Sequence, residues 1–510
     1  MNKIFEKISL KGPKYSGFDL SHEKKLSCKM GDLIPILLEE IVPGDQFHVN
    51  SEIMLRMAPM LAPIMHRVDV FCHYFFVPNR IVWSQWEDFI TGGREGTTSP
   101  VMPTFPLNPL VANGSLADYL GLPNVESGAQ ANPPRVSELP FRAYTKIWND
   151  YYRDPNLEEE VDVDDGSGIG PLFALRKRAW GKDYFTSALP FSQRGDAVTL
   201  PIDNTFSPQY KDTSTIHQAT GQPWPNNSYT EINKQSNTDN VLAGIPAGVQ
   251  VNAQIRNLND PQTIDSTSVT IADLRRSVRL QEWLEKQARG GYRYIETLLS
   301  HFGVQSSDKR LQRAEYLGGG KQAVVISEVL NNTGTAEAPQ GDMTGHGISM
   351  GKTNSFSKRF EEHGYVFGIM SVLPKTAYMQ GVPRHWSRND KFDYYWPEFA
   401  NIGEQEVLNK ELYYTGAGAD SPDGVFGYQQ RYAEYKYGCS MVHGDFRDTL
   451  NFWHMARDFA SEPVLNSSFT QSDPTNRIFA VQDGTDTLWV QVYNEVKARR
   501  PMPYFADPRL

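Results

Sequence analysis

Read with a period of two, residues 68–77 set Val68, Val70, Cys72, Tyr74 and Phe76 on one side of the chain and Phe71, His73, Phe75 and Val77, after Asp69, on the other. Both sides are apolar, which predicts a strand that needs cover on each face. Pro78, with no amide hydrogen for a ladder, ends it, and the spacing of Trp83, Trp86 and Phe89 predicts a short helix stopped at Gly92 and Gly93. Two strand patterns precede it: "LIPILLEEIV", closed by Pro43, Gly44 and Asp45, and "QFHVNSEIMLRMAPM". Strand-like runs return after Gly318 at "QAVVISEVL", "YVFGIMSVLP", "EYKYGCSMVHGDF" and "LWVQVYNEVKA".

Helical spacing is rarer. Phe141, Tyr144, Ile147, Trp148 and Tyr151 recur at three and four residues and predict a helix over "ELPFRAYTKIWNDYYRD". Thr270 and Asp273 form a capping-box pattern ahead of an apolar stripe of Leu274, Val278, Leu284 and Ala288, stopped by Gly290 and Gly291. A second short helix follows, with Ile295, Leu298, Leu299 and Phe302 on one side. No period of 20 to 50 residues recurs, so the chain is not a repeat array.

Residues 201–268 break these patterns. Asn, Thr, Ser, Gln, Pro and Gly dominate, aromatics are isolated at Phe206, Trp224 and Tyr229, and only "VLAGIPAGVQVNAQI" could form a hairpin. A segment this polar builds no core of its own; it reads as a large surface insertion, with a linker between two domains as the plainer alternative. The 40 glycines, 33 prolines and 12 % aromatics of the 510 residues suit short strands joined by long loops, so the fold class is mainly β.

The net charge of −10 hides segregation. Residues 1–30 hold seven lysines against three acids, and residues 497–510 hold Lys497, Arg499, Arg500 and Arg509 against Asp507. Residues 154–165 carry seven acids and no base. Three scattered cysteines, Cys28, Cys72 and Cys439, make no disulfide framework or zinc pair and fit a reducing compartment. The N-terminal residues lack the apolar core of a signal peptide, and no apolar run is long enough to span a membrane, so the expectation is a protein kept in an aqueous space without membrane insertion.

No catalytic constellation emerges, and no cofactor or metal is expected. "GDMTGHGISMGKT" ends like a phosphate loop, but the glycine needed five residues before Gly351 falls at His346, so the stretch reads as a glycine-rich loop. "EEEVDVDDGSG" misses calcium-loop spacing, with Gly166 one place early. His48, His66, His73, His443 and His454 show no ligand spacing, and Cys72, inside an apolar strand, reads as a structural thiol.

Several stretches in order, "FDLSHEKKLSCKMGDLIPILLEEIVPGDQF", "MAPMLAPIMHRVDVFCHYFFVPNRIVWSQWEDFITGG", "WNDYYRDPNL", "QEWLEKQARGGYRYIETLLSHFGVQSSDKRLQRAEYLGGG" and "RRPMPYFADPRL", resemble the major capsid proteins of microviruses, in particular the gokushovirus branch. The similarity runs from about residue 18 to the C-terminus, interrupted mainly by the polar insertion. It implies an eight-stranded antiparallel jelly roll with long inter-strand loops and a few helices, residues 1–510 forming one domain. Sixty copies would close a T=1 icosahedral virion shell around circular single-stranded DNA, assembled in the bacterial cytoplasm with no enzymatic turnover. Implied partners are further copies of the chain, an internal scaffolding protein, a DNA pilot protein, a small basic DNA-associated protein and a bacterial surface receptor. The insertion at 201–268 matches the family's threefold protrusion, with Trp224 and Tyr229 as candidate host contacts. Packaging a phosphate backbone needs cations, and unpaired bases stack on aromatic rings. That points to Lys3, Lys7, Lys11, Lys497, Arg499 and Arg500 for phosphate and to Tyr504 and Phe505 for bases. The rival is a secreted carbohydrate-binding β-sandwich, which would also be aromatic-rich but leaves the basic termini unexplained.

Overall fold

The computed structural model describes residues 14–92, 98–107, 111–124, 132–164, 170–195, 271–290, 300, 311–332, 341–416 and 421–505. The chain divides into two compact units, Met1–Asp196 with Glu282–Leu510, and Ala197–Gln281. Of the second unit only residues 271–281, the start of a helix, are described. The predicted hairpin at 241–255 and the second short helix therefore lie outside the described residues.

In chain order the strands are β1 (Ser16–Asp19), β2 (His22–Cys28), β3 (Ile34–Ile41), β4 (Gln46–Met57), β5 (Val68–Pro78), β6 (Thr104–Pro106), β7 (Arg135–Ser137), β8 (Glu315–Ala323), β9 (Val325–Leu330), β10 (Met343–Lys352), β11 (Phe356–Arg359), β12 (Gly364–Pro374), β13 (Glu404–Leu408), β14 (Val425–Gln430) and β15 (Leu488–Arg500). Four helices matter below: α1 (Trp86–Thr91), α2 (Leu116–Tyr119), α3 (Leu139–Ile147) and α4 (Ile271–Gly290). No helix among the described residues is long and apolar enough to cross a membrane.

Every pairing between these strands is antiparallel, and two sheets dominate. The larger runs β1-β15-β4-β10-β9, with β2 alongside β15 and β11 alongside β4; the smaller runs β3-β12-β5-β8. The chain crosses between the sheets at β3 to β4, β4 to β5, β8 to β9 and β11 to β12, and β15 returns to the larger sheet, the pattern of a jelly roll. The chain passes from β3 in one sheet to β4 in the other through Pro43, Gly44 and Asp45, where Gly44 takes φ +96°, a conformation that favours glycine. The expected strands do not return one for one, because the larger sheet is assembled from seven segments.

Alternation explains β4 and β15. Phe47, Val49, Ile53, Leu55 and Met57 of β4, and Leu488, Val490, Val492, Val496 and Ala498 of β15, point into the sandwich core, while Gln46, His48, Arg56, Trp489, Lys497 and Arg499 point out. One polar tie spans the core: the buried Asn494 amide donates to the Ile36 carbonyl at 2.9 Å and accepts from the Ser51 hydroxyl at 2.7 Å.

β5 is apolar on both faces because it is covered on both. Val68, Val70, Cys72, Tyr74 and Phe76 join the core between the sheets. On the far side Phe75 and Val77 enter a second apolar cluster with Val82, Trp83, Phe141, Tyr144 and Ile147. Helix α3 continues into a π-helical turn, Trp148–Tyr152, that brings Tyr151 to 4.9 Å and Tyr152 to 6.0 Å from the Phe75 ring. The Tyr144 hydroxyl donates to the Leu33 carbonyl at 2.8 Å and fixes the helix over β3.

Two predicted elements are corrected. Residues 343–352 form the strand β10, not a loop: its glycines occur where neighbours crowd, since a β-carbon at Gly347 would lie 2.5 Å from the Met57 sulfur. Conversely "EYKYGCSMVHGDF" is no strand; it turns through short 3-10 segments, with Tyr435, Tyr437 and Met441 exposed and one bridge from Tyr378 to Met441. Its apolar residues lie on no common sheet face. The stripe expected on α4 also splits, with Ala288 buried but Leu274 and Val278 exposed.

His73 carries a pH prediction. Its ring bonds the Tyr152 hydroxyl at 2.8 Å, and burial pushes it down from its ordinary 6.5 to about 4. The unfolded chain binds this proton more readily than the folded one, so the stabilisation is full above pH 6.5 and is lost as pH falls from there toward 4. His73→Gln should flatten the urea midpoint across that window; an unchanged slope would rule this source out.

Candidate nucleic-acid interface

The two sheets differ in cover. The outer face of the smaller sheet lies under α3 and its loops, whereas the larger sheet presents Trp489, Tyr493 and Met350 exposed on its outer face. At one corner of that face β1 pairs with the end of β15, setting Asp19 opposite Lys497 and Gly17 opposite Arg499. On the other side of β15, Lys497 meets His48 and Arg499 meets Gln46, and β11 adds Ser357 and Arg359 beyond them. The strand period of two puts Lys497 and Arg499 on the solvent side and turns Arg500 away.

The three cations of the C-terminal strand are therefore not equivalent. The Lys497 ammonium lies 2.5 Å from the Asp19 carboxylate, which drops to about 2 through hydrogen bonds from Lys497 and Ser21, while Lys497 itself is raised. Arg500 reaches inward: it donates to the Glu40 carbonyl at 2.6 Å, its Nε lies 3.4 Å from Asp45, and its guanidinium sits 5.2 Å from the Phe47 ring centre. Asp45 is fully buried at the β3 to β4 corner, and burial raises its pKa. Arg500 is thus a corner staple. Arg499 alone of the three has no carboxylate partner among the described residues; its guanidinium lies 5.2 Å from the Tyr15 ring.

An aromatic ladder follows a few residues later in the chain. Tyr504 stacks on Phe18 with centroids 5.8 Å apart and planes 5° off parallel, and Phe505 meets Tyr504 edge-on at 4.9 Å. Tyr504 and Phe505 are 65 % and 76 % exposed. Lys497 and Arg499 lie on the outer face of this corner, whereas Phe18, opposite the inward-facing Ala498, holds Tyr504 and Phe505 at its other side. Phe18 and Tyr15 complete the corner and escaped the sequence reading, although an aromatic at each of these positions beside the basic N-terminal segment was a usable signal. Lys3, Lys7, Lys11, Trp224 and Tyr229 lie outside the described residues.

The profile of the family described as capsid protein (F protein) matches residues 11–510. The chain belongs to this family. Capsid protein VP1 of Chlamydia phage 1 is 34 % identical, the match covering 100 % of this chain and 98 % of that one. VP1 of Bdellovibrio phage phiMH2K is 36 % identical over 91 % and 90 % of the two chains, and VP1 of Spiroplasma virus 4 is 32 % identical over 97 % and 95 %. The chain is a major capsid protein of the gokushovirus type and a component of the virion.

Of the cysteines and histidines singled out from the sequence of this capsid protein, Cys28, Cys72 and His454 are buried, whereas His48 and His443 are exposed. Cys72 is buried and its thiol is pushed up to about 12, and Cys28 is pushed up further still, both by burial. His454 is buried, bonding the Phe446 carbonyl at 2.6 Å and accepting from the Ala456 amide at 3.1 Å. No group of three or more metal-binding side chains occurs among the described residues. Gly351 and Lys352 of the "GKT" stretch end β10, where Lys352 pairs with Glu52 at 2.6 Å.

Proposed function

We propose that sixty copies of this capsid protein close a T=1 shell around circular single-stranded DNA, and that the corner carrying Arg499, Tyr504 and Phe505 lies against the genome. One observation supports the DNA contact: Arg499, with no carboxylate partner among the described residues, stands on the solvent face of β15, and Tyr504 and Phe505, a few residues on, are 65 % and 76 % exposed. Such a site takes phosphate and stacked bases without reading sequence. Lys3, Lys7 and Lys11, which precede β1 in sequence, add phosphate-neutralising charge. The protein itself turns nothing over. Assembly in the host uses an internal scaffolding protein, and the virion also holds a DNA pilot protein and a small basic DNA-associated protein. The polar insertion at 201–268 forms the threefold protrusion and contacts the bacterial receptor through Trp224 and Tyr229.

The pairing pattern separates two roles that charge alone would merge. Arg499→Gln should lower the ratio of DNA-filled to empty particles while leaving particle melting unchanged. Arg500→Gln should instead lower the melting temperature, because it strands the buried Asp45 carboxylate, at a cost of about 3 kcal/mol or more. Unaltered filling in Arg499→Gln combined with Tyr504→Ala would reject the genome contact. For the insertion, deletion of residues 210–235 should leave shells intact and abolish adsorption to host cells; normal adsorption would reject the receptor role.

A further inference from the structure

Residues 384–402 form a second exposed feature, on the opposite chemical footing from the basic corner. Trp386, Phe392, Tyr394, Tyr395, Trp396 and Ile402 are between 45 % and 74 % exposed within nineteen consecutive residues. With about 150–250 Å² on each large side chain, they leave on the order of 700 Å² of apolar surface in water. That exceeds the few hundred Å² that a monomeric surface tolerates and approaches the ~800 Å² that one partner contributes to a standard interface.

The backbone that carries the rings, and the Trp396 ring itself, are held in place before any partner arrives. Three short 3-10 turns follow one another, Arg384–Ser387, Lys391–Asp393 and Pro397–Phe399. Asp390 accepts from the Lys391 amide at 2.7 Å, and Asp393 accepts from the Asn389 and Asp390 amides at 2.9 Å. The Trp396 indole donates to the Lys391 carbonyl at 2.8 Å, and the Tyr432 hydroxyl bonds both the Trp396 amide and the Tyr394 carbonyl at 3.2 Å. Little ordering entropy is left to lose on association.

Its charges are internally matched. Arg388 pairs with Glu434 at 3.2 Å and Arg384 with Glu411 at 3.0 Å, so the surface offers no excess of cations to a phosphate chain. Preorganised aromatics, near-neutral charge and this area together describe a protein contact.

We infer that this aromatic platform is a contact surface between copies of this chain. The inference rests on the shell proposed above: a closed shell of identical subunits needs large surfaces present on every copy, and a platform of this size would otherwise stay in water on each. Around a threefold or fivefold axis such a contact is heterologous, platform against a different surface of the neighbour, and around a twofold axis it is isologous.

The test uses the protein expressed with the full phage gene set. Trp386→Ala with Tyr394→Ala should cut particle yield at least tenfold while the soluble protein keeps its melting temperature. Wild-type yield would overturn the inference. Should the double variant fail to fold, p-benzoylphenylalanine in place of Trp386 decides: irradiated particles should give a product of twice the chain's mass. A product with any other polypeptide, or none, would overturn it. If the unaltered protein forms no DNA-filled particles, the shell itself is refuted; if it does and the double variant matches it, only the platform contact is.

Discussion

Phe75→Ala is expected to destabilise the protein by about 3–5 kcal/mol, the range for emptying a buried aromatic site. Phe75 is 1 % exposed and sits on the face of β5 that turns away from the sandwich core, against Tyr151, Tyr152 and Tyr316 at 4.9, 6.0 and 5.5 Å. Those partners belong to the π-helical turn after α3 and to β8, two segments that cannot both collapse into the space left behind. The outer cover of the smaller sheet should loosen as a unit, and assembled particles should be lost with it. Val325→Ala on β9, 64 % exposed, should change stability by no more than about 0.5 kcal/mol. Urea midpoints of the two variants check the contrast; similar midpoints would mean that the second face of β5 contributes little.

Gly345→Ala should be as damaging by the opposite mechanism. A β-carbon there would collide with the Ala62 carbonyl oxygen and approach the Pro63 α-carbon to 2.8 Å, and both obstacles are backbone. The chain at Met60 would have to move away, breaking the paired bonds it makes with Gly345 at 3.1 and 3.3 Å. Overpacking of this kind costs about 1–3 kcal/mol, and the two lost backbone bonds add to it. At Gly351, six residues along the same strand, the nearest obstacle is the Gln322 side-chain oxygen at 2.5 Å, which can swing aside. Gly351→Ala should therefore yield soluble protein and particles near the parental level, and Gly345→Ala neither. Equal yields from the two would show that the backbone there gives way easily.

The same glycines show where sequence reading reaches and where it stops. Strands β3, β4, β5, β12 and β15 were legible because burial imposes a pattern on adjacent residues, and the π-helical turn after α3 was visible as aromatic spacing. β10 was not, because its glycines answer to Ala62, Met57 and Gln322, neighbours remote in sequence. The stretch at 434–446 failed for the converse reason: its aromatics each meet a different loop neighbour, Tyr435 against Arg388 and Phe446 against Trp453, and share no period. At the basic corner composition found Lys497, Arg499, Tyr504 and Phe505, but counting charges could not tell Arg499 from Arg500. That distinction lies in one residue of strand register and in a carboxylate buried far upstream, Asp45.

The position of β15 in its sheet has a consequence for how the chain is made. Its registers set Leu488 beside both Cys28 and Met57, and Arg499 beside both Gly17 and Gln46. The last strand of the sandwich thus lies between strands that leave the ribosome hundreds of residues earlier, and such non-local pairing is slow to form. Until residues 488–500 emerge, β4 and β2 have an open edge and the core lacks its central floor, a state prone to wrong partners. A chain broken off before that point cannot close the fold. Such a chain lacks the strand that joins β1 and β2 to β4 in the larger sheet.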